Sequence, residues 1–73
     1  MVKTQLLDEA IKKSGLRTDY LANSLGITRV SFSNKKNGHR DFKLSEITVL
    51  CMLLKLDADE RDRIFFPDVS SDG

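Results

Sequence analysis

The chain has few of the residues that staple a fold or hold a metal. Its 73 residues include one cysteine, Cys51, one histidine, His39, one proline, Pro67, and no tryptophan. A single cysteine cannot close an intramolecular disulfide, which excludes the cross-linked scaffolds of small secreted domains. With only one histidine beside it, it cannot build a cysteine-based zinc site either. No apolar run approaches a membrane span, the longest being the six residues Val49 to Leu54. Met1 to Asp8 carries neither the apolar stretch nor the cleavage site of a signal peptide, so a reducing cytoplasm is the expected compartment. A large excess of one charge is also missing. Twelve Lys and Arg stand against eleven Asp and Glu, a net charge of +1. That total argues weakly against a nucleic-acid partner, which is often strongly basic.

What is present describes one small globular domain, 40% hydrophobic and 32% charged. The spacing of apolar residues predicts five helices and no strand. Leu6, Leu7, Ala10 and Ile11 mark one stripe of a first helix over Thr4 to Lys13, with Thr4 as its cap and Gly15 beyond its end. A second helix runs from Thr18 to Leu25, with Tyr20, Leu21 and Ala22 on its apolar side, and stops at Gly26. Thr28 caps a third, Arg29 to Lys36, closed by Asn37-Gly38. The fourth, about Leu44 to Lys55, is the most apolar, with Leu44, Ile47, Leu50, Cys51, Leu53 and Leu54 as its buried face. Asp57 and Glu60 form a capping box for a fifth helix from Ala58 to Phe65 or Phe66, which Pro67 ends. Residues 1–67 are thus read as the domain and 68–73 as a loose tail.

The small net charge hides an uneven distribution. Residues 1–43 hold nine Lys/Arg and four Asp/Glu, whereas residues 44–73 hold three and seven. Within 29–43 five cations face one acid, Asp41. The third helix, Arg-Val-Ser-Phe-Ser-Asn-Lys-Lys, has Phe32 as its one large apolar residue, so core packing alone does not explain it. A short polar helix after a glycine turn suits the DNA major groove, where donors and acceptors read bases. Arg29 matches guanine O6 and N7, Asn34 matches adenine N6 and N7, and Val30 offers methyl surface to thymine. Phe32 is expected to anchor the helix from inside. Ser31 and Ser33 can reach base or phosphate. Thr18, Thr28, the loop from Asn37 through His39 to Arg40, and Lys35, Lys36 or Lys43 would contact the backbone.

The run Gly15-Leu16-Arg17-Thr18-Asp19-Tyr20-Leu21-Ala22-Asn23-Ser24-Leu25-Gly26-Ile27-Thr28, then Phe32-Ser33 and Asn37-Gly38, resembles the lambda repressor/Cro-like (XRE-type) helix-turn-helix family. The likeness covers residues 4–66 and is nearest to small Cro-like regulators of temperate phages of Gram-positive bacteria. It implies an all-α, compact five-helix bundle containing a helix-turn-helix, with recognition helix 29–36. It also implies regulation of transcription on double-stranded operator DNA, commonly as a homodimer, without a cofactor. By the same resemblance, base contacts fall on Arg29, Val30, Asn34 and Ser33, and phosphate contacts on Thr18, Thr28, Ser31, Asn37, His39 and Arg40. Two positions depart from the pattern. Thr18 replaces a frequent glutamine, and Lys36 stands where an aliphatic residue often continues the stripe from Phe32.

Other features have plainer readings. His39 has no nucleophilic or acidic partner in pattern, and Cys51 reads as a small core hydrophobe. Asp57, Asp59 and Asp62 lack the glycine and terminal glutamate of a calcium loop. No set of nucleophile, base and oxyanion donor is evident, so an enzyme is not expected. Val49, Met52, Ile64, Phe65, Phe66 and Val69 are more than five short helices bury, and part of this set is expected at a dimer or partner surface. Two alternative functions follow: a modulator or antirepressor that binds a larger phage repressor protein, and an antitoxin-type regulator. No membrane association is expected.

Overall fold

A computed structural model describes residues 2–67, and their local structure follows from helix stop signals. Helix α1 spans Thr4–Ser14, α2 Thr18–Leu25, α3 Arg29–Lys36, α4 Leu44–Leu54 and α5 Ala58–Phe65. No strand occurs among the described residues. The predicted elements are all present, with ends that differ by at most a residue. Residues 68–73, read from the sequence as a tail, lie outside the described residues.

Left-handed residues cap α1, α2 and α4, and another, Gly38, follows the α3 cap Asn37. Gly15, Gly26 and Gly38 have φ of 74°, 73° and 88°, and Lys55 takes the same conformation at 57°. At Gly26 the chain reverses tightly: its N–H donates to the Asn23 carbonyl and the Ile27 N–H donates to that of Ala22. Three residues therefore join α2 to α3. Thr28 then caps α3, its hydroxyl oxygen accepting from the Ser31 N–H at 3.0 Å. At the start of α1 the sequence expectation fails. Lys3, not Thr4, holds the capping position and provides no side-chain cap. The Lys3 N–H donates instead to the Ile64 carbonyl at 2.7 Å, so contact with α5 sets where α1 begins.

Each helix sends side chains to one core. Leu7 and Ile11 come from α1, Leu21 and Ala22 from α2, Phe32 from α3, Ile47, Leu50 and Leu54 from α4, and Ile64 and Phe65 from α5. Helix α1 packs on α3, α4 and α5, and α2 on α3 and α4. Phe42, in the loop after α3, stands edge-on to both Phe32 and Phe65, with ring centroids 5.9 and 5.6 Å apart. This aromatic chain ties the loop to the core and links α3 to α5. The Cα radius of gyration, 11.5 Å, is near the ~11 Å expected of a compact chain this long.

Several expected core or surface positions exchange roles. Leu44, expected on the buried face of α4, is 70% exposed, and Tyr20 is half-exposed. For Leu44 the reason is that α4 is apolar around most of its circumference, so periodicity does not choose its inward face. Ile64 and Phe65, counted with Phe66 as core or possible partner surface, are buried, and Phe66 is half-buried against the same cluster. Met52 is exposed, whereas Val49 and Cys51 are half-buried. Burial pushes the Cys51 thiol pKa up. Val69 lies outside the described residues.

Candidate functional site

Helix α3 sends a single hydrophobic side chain into the core. Phe32 is fully buried, whereas Val30, two residues earlier, is 71% exposed. Arg29 is exposed at the first turn, and Ser31, Ser33 and Asn34 are half-buried. The outward side of α3 therefore presents a guanidinium, an aliphatic surface, hydroxyls and an amide. Thr28 is exposed just before it. Its hydroxyl oxygen serves as the helix cap, which leaves the hydroxyl proton free to donate.

The loop after α3 is ordered by the backbone. The Asn34 carbonyl accepts from the N–H groups of both His39 and Arg40, at 2.9 and 3.3 Å. Asn37, His39 and Arg40 are exposed, and the Asn37 amide reaches the Ser33 hydroxyl at 3.4 Å. Thr18 is half-buried at the start of α2. It borders an open polar cleft of about 660 Å³ between the α1–α2 turn and α3. Four cations line that cleft, Lys12, Arg17, Arg29 and Lys36, together with Asp8 and Asp19. The sequence reading did not include Lys12 or Arg17, which precede α3 in the chain and meet it only through the packing of α1 and α2.

The electrostatics differ most from the sequence expectation. All three cations of α3 are paired with an acid on another helix. Arg29 Nη1 lies 3.1 Å from Asp19 of α2, and Lys36 Nζ lies 3.3 Å from Asp8 of α1. Lys35, expected to contact phosphate, is buried. Its ammonium donates to both carboxylate oxygens of Glu46 in α4, at 2.7 and 2.8 Å. Lys35 is thus an internal clamp, because it lies on the same inward side of α3 as Phe32, three residues on. Burial alone would raise the pKa of Glu46. The Lys35 hydrogen bonds, the Lys43 N–H at 2.9 Å and the two ammonium charges outweigh burial and hold it below its usual value. Asp8 is also held low, chiefly by its hydrogen bond from Lys36 and that ammonium's charge. Lys36 is half-buried and ties α3 to α1 through its ammonium. The helix therefore extends to Lys36 without an apolar side chain there.

Five cations within 29–43 are thereby reduced to two without an ion-pair partner among the described residues, Arg40 and Lys43. Among those residues no cluster of His, Cys, Asp or Glu could hold a metal, and no helix is long and apolar enough to cross a membrane. Comparison of the chain with protein-family models, curated proteins and solved structures finds no match.

Proposed function

We propose that this protein is a sequence-specific DNA-binding regulator of transcription that reads the major groove with the outward side of α3. The observation that carries this reading is the division of α3 into a clamped inner side and an open outer side. Phe32 and the Lys35–Glu46 pair fasten it from within, while Arg29 and the 71% exposed Val30 face outward at its first turn. A helix built this way gains little by exposing Val30 to water, and a methyl-bearing groove surface gives that exposure a use. The three-residue turn with left-handed Gly26 supports reading α2 and α3 as a helix-turn-helix. Arg29, Val30, Ser33 and Asn34 then carry base recognition. Thr18, Thr28, Ser31, Asn37, His39 and Arg40 position the backbone, and Arg17 and Lys43 join them. Lys35 leaves that set. The role is one of binding, with no chemical step and no cofactor.

Selection of bound sites from random duplex DNA tests the reading. A common motif should emerge, and its affinity should fall as salt rises, because bound phosphates release counterions. Equal, weak affinity for all duplexes would reject it.

A second reading has an observation of its own. Leu44 and Met52 are 70% and 73% exposed on α4, whose sole charged residue, Glu46, is turned inward. That uncharged side suits contact with another protein chain, either a second copy or a larger repressor. Met52→Lys separates the two uses: loss of a partner with operator binding intact supports the modulator, and loss of dimer and operator binding together supports the regulator.

A further inference from the structure

We infer that Asp19 is a specificity-determining residue, which orients Arg29 for a base and opposes its use on phosphate. The inference rests on the reading of α3 as the base-contacting helix. It starts from the contact between Asp19 and Arg29 Nη1, 3.1 Å across the α2–α3 junction. Both side chains are well exposed, 72% for Arg29 and 55% for Asp19, so the pair contributes little to folding. Asp19 also lies in the first turn of α2, where an acid complements the helix dipole. That role needs no arginine, so it does not account for the contact.

The geometry of the guanidinium gives the contact a use. Engaging Nη1 leaves the Nε–Nη2 edge free, and two parallel N–H donors on one edge match the O6 and N7 acceptors of guanine. An unrestrained arginine samples many rotamers and finds phosphates as readily as bases. One held by a carboxylate loses less freedom when it binds a base. The carboxylate also repels phosphate, which lowers affinity for every duplex. Specificity is a difference of affinities, and both effects widen it. Asp8, which engages Lys36 at 3.3 Å and Lys12 at 3.5 Å, leaves Asp19 as the acid on Arg29 itself.

The test is a double-mutant cycle of Asp19→Ala, Arg29→Ala and the double variant. It compares the duplex recovered by selection with a random-sequence duplex of equal length. Asp19→Ala should bind the random duplex about two- to threefold more tightly, since one repelling charge is gone. The ratio of the two affinities should fall about fivefold, part of what one bidentate arginine contact provides. In the Arg29→Ala background, removing Asp19 should leave the ratio unchanged. Thermal unfolding by circular dichroism should show nearly the same Tm for all four proteins. If Asp19→Ala leaves the ratio intact, or lowers it equally without Arg29, Asp19 is a plain surface charge and the inference is overturned. Wild-type protein that prefers no duplex would overturn the underlying reading, and the inference with it.

Discussion

Lys35 and Glu46 share two hydrogen bonds of 2.7 and 2.8 Å inside a chain of only 73 residues. Removing one partner leaves a charge buried without compensation, so Lys35→Ala or Glu46→Ala should destabilise the fold by about 3 kcal/mol in urea unfolding. Lys35→Met combined with Glu46→Leu should cost much less, because no charge is then left alone. Acid should weaken the clamp. The folded pKa of Glu46 lies below its ordinary value of 4.5, so the pair's contribution is complete above about that pH and fades as pH falls through the folded value. Glu46→Gln should be less stable at neutral pH and show a shallower loss of stability in acid. On the outward side the consequences concern the proposed DNA binding. Arg29→Ala or Asn34→Ala should cost about 1–3 kcal/mol on the selected duplex and relax preference at one base, as measured by fluorescence anisotropy. The sequence placed Arg29 and Asn34 on the third helix, where the structure has them. It did not single out Glu46, because an acid near the start of a helix has an ordinary explanation in the helix dipole.

Helix ends supply the predictions at the level of elements. Gly26 and Lys55 occupy equivalent left-handed positions, each closing its helix with a pair of backbone bonds. A Cβ at Gly26 would meet nothing within 4 Å, so Gly26→Ala should cost about 1 kcal/mol through backbone conformation alone. Lys55 already bears that strain. Lys55→Gly should stabilise by about 0.5–1 kcal/mol, visible as a rise in Tm. The sequence marks the ends of α1, α2 and α3 with glycine, whereas at the end of α4 lysine takes the turn, and the sequence expectation overran it by one residue. At the end of α1 a hydroxyl joins in: Ser14 Oγ donates to the Ile11 carbonyl at 2.6 Å and accepts from the Leu16 N–H at 3.1 Å. Helix α4 shows where periodicity gives out. Its apolar residues surround the axis, and only packing against α1 and α2 turns Ile47, Leu50 and Leu54 inward and Leu44 and Met52 outward.

For the whole molecule, charge placement governs what the surface can bind. Arg40 and Lys43, with Arg17 beside the cleft, are the cations near α3 that an internal acid does not engage among the described residues. Arg40→Ala should therefore weaken binding to all duplexes alike and reduce the slope of log K against log salt by about one. Lys35→Ala should instead act through folding, measurable as a lower Tm without DNA. The position of Ile64 and Phe65 in the core also changes how a partner surface is best probed. A truncation before Ile64 would remove part of the core, whereas Leu44→Lys or Met52→Lys alters exposed atoms and should leave the unfolding free energy from urea titration within about 0.5 kcal/mol of wild type. Sedimentation of those variants then reports association separately from folding.

The amino-acid order by itself was enough for the all-α class, five helices, the glycine turn before α3 and the inward anchor at Phe32. These depend on local periodicity and on backbone preferences that act within a few residues. Tertiary structure alone decided the partners of the charges and the facing of α4. Asp8 meets Lys36, Asp19 meets Arg29 and Glu46 meets Lys35 only after separate helices pack. Coulomb attraction acts through space, whereas a sequence lists neighbours along the chain. The run of charge between residues 29 and 43 thus looks like a basic surface in the sequence, and in the fold three of its five cations are engaged by acids of other helices.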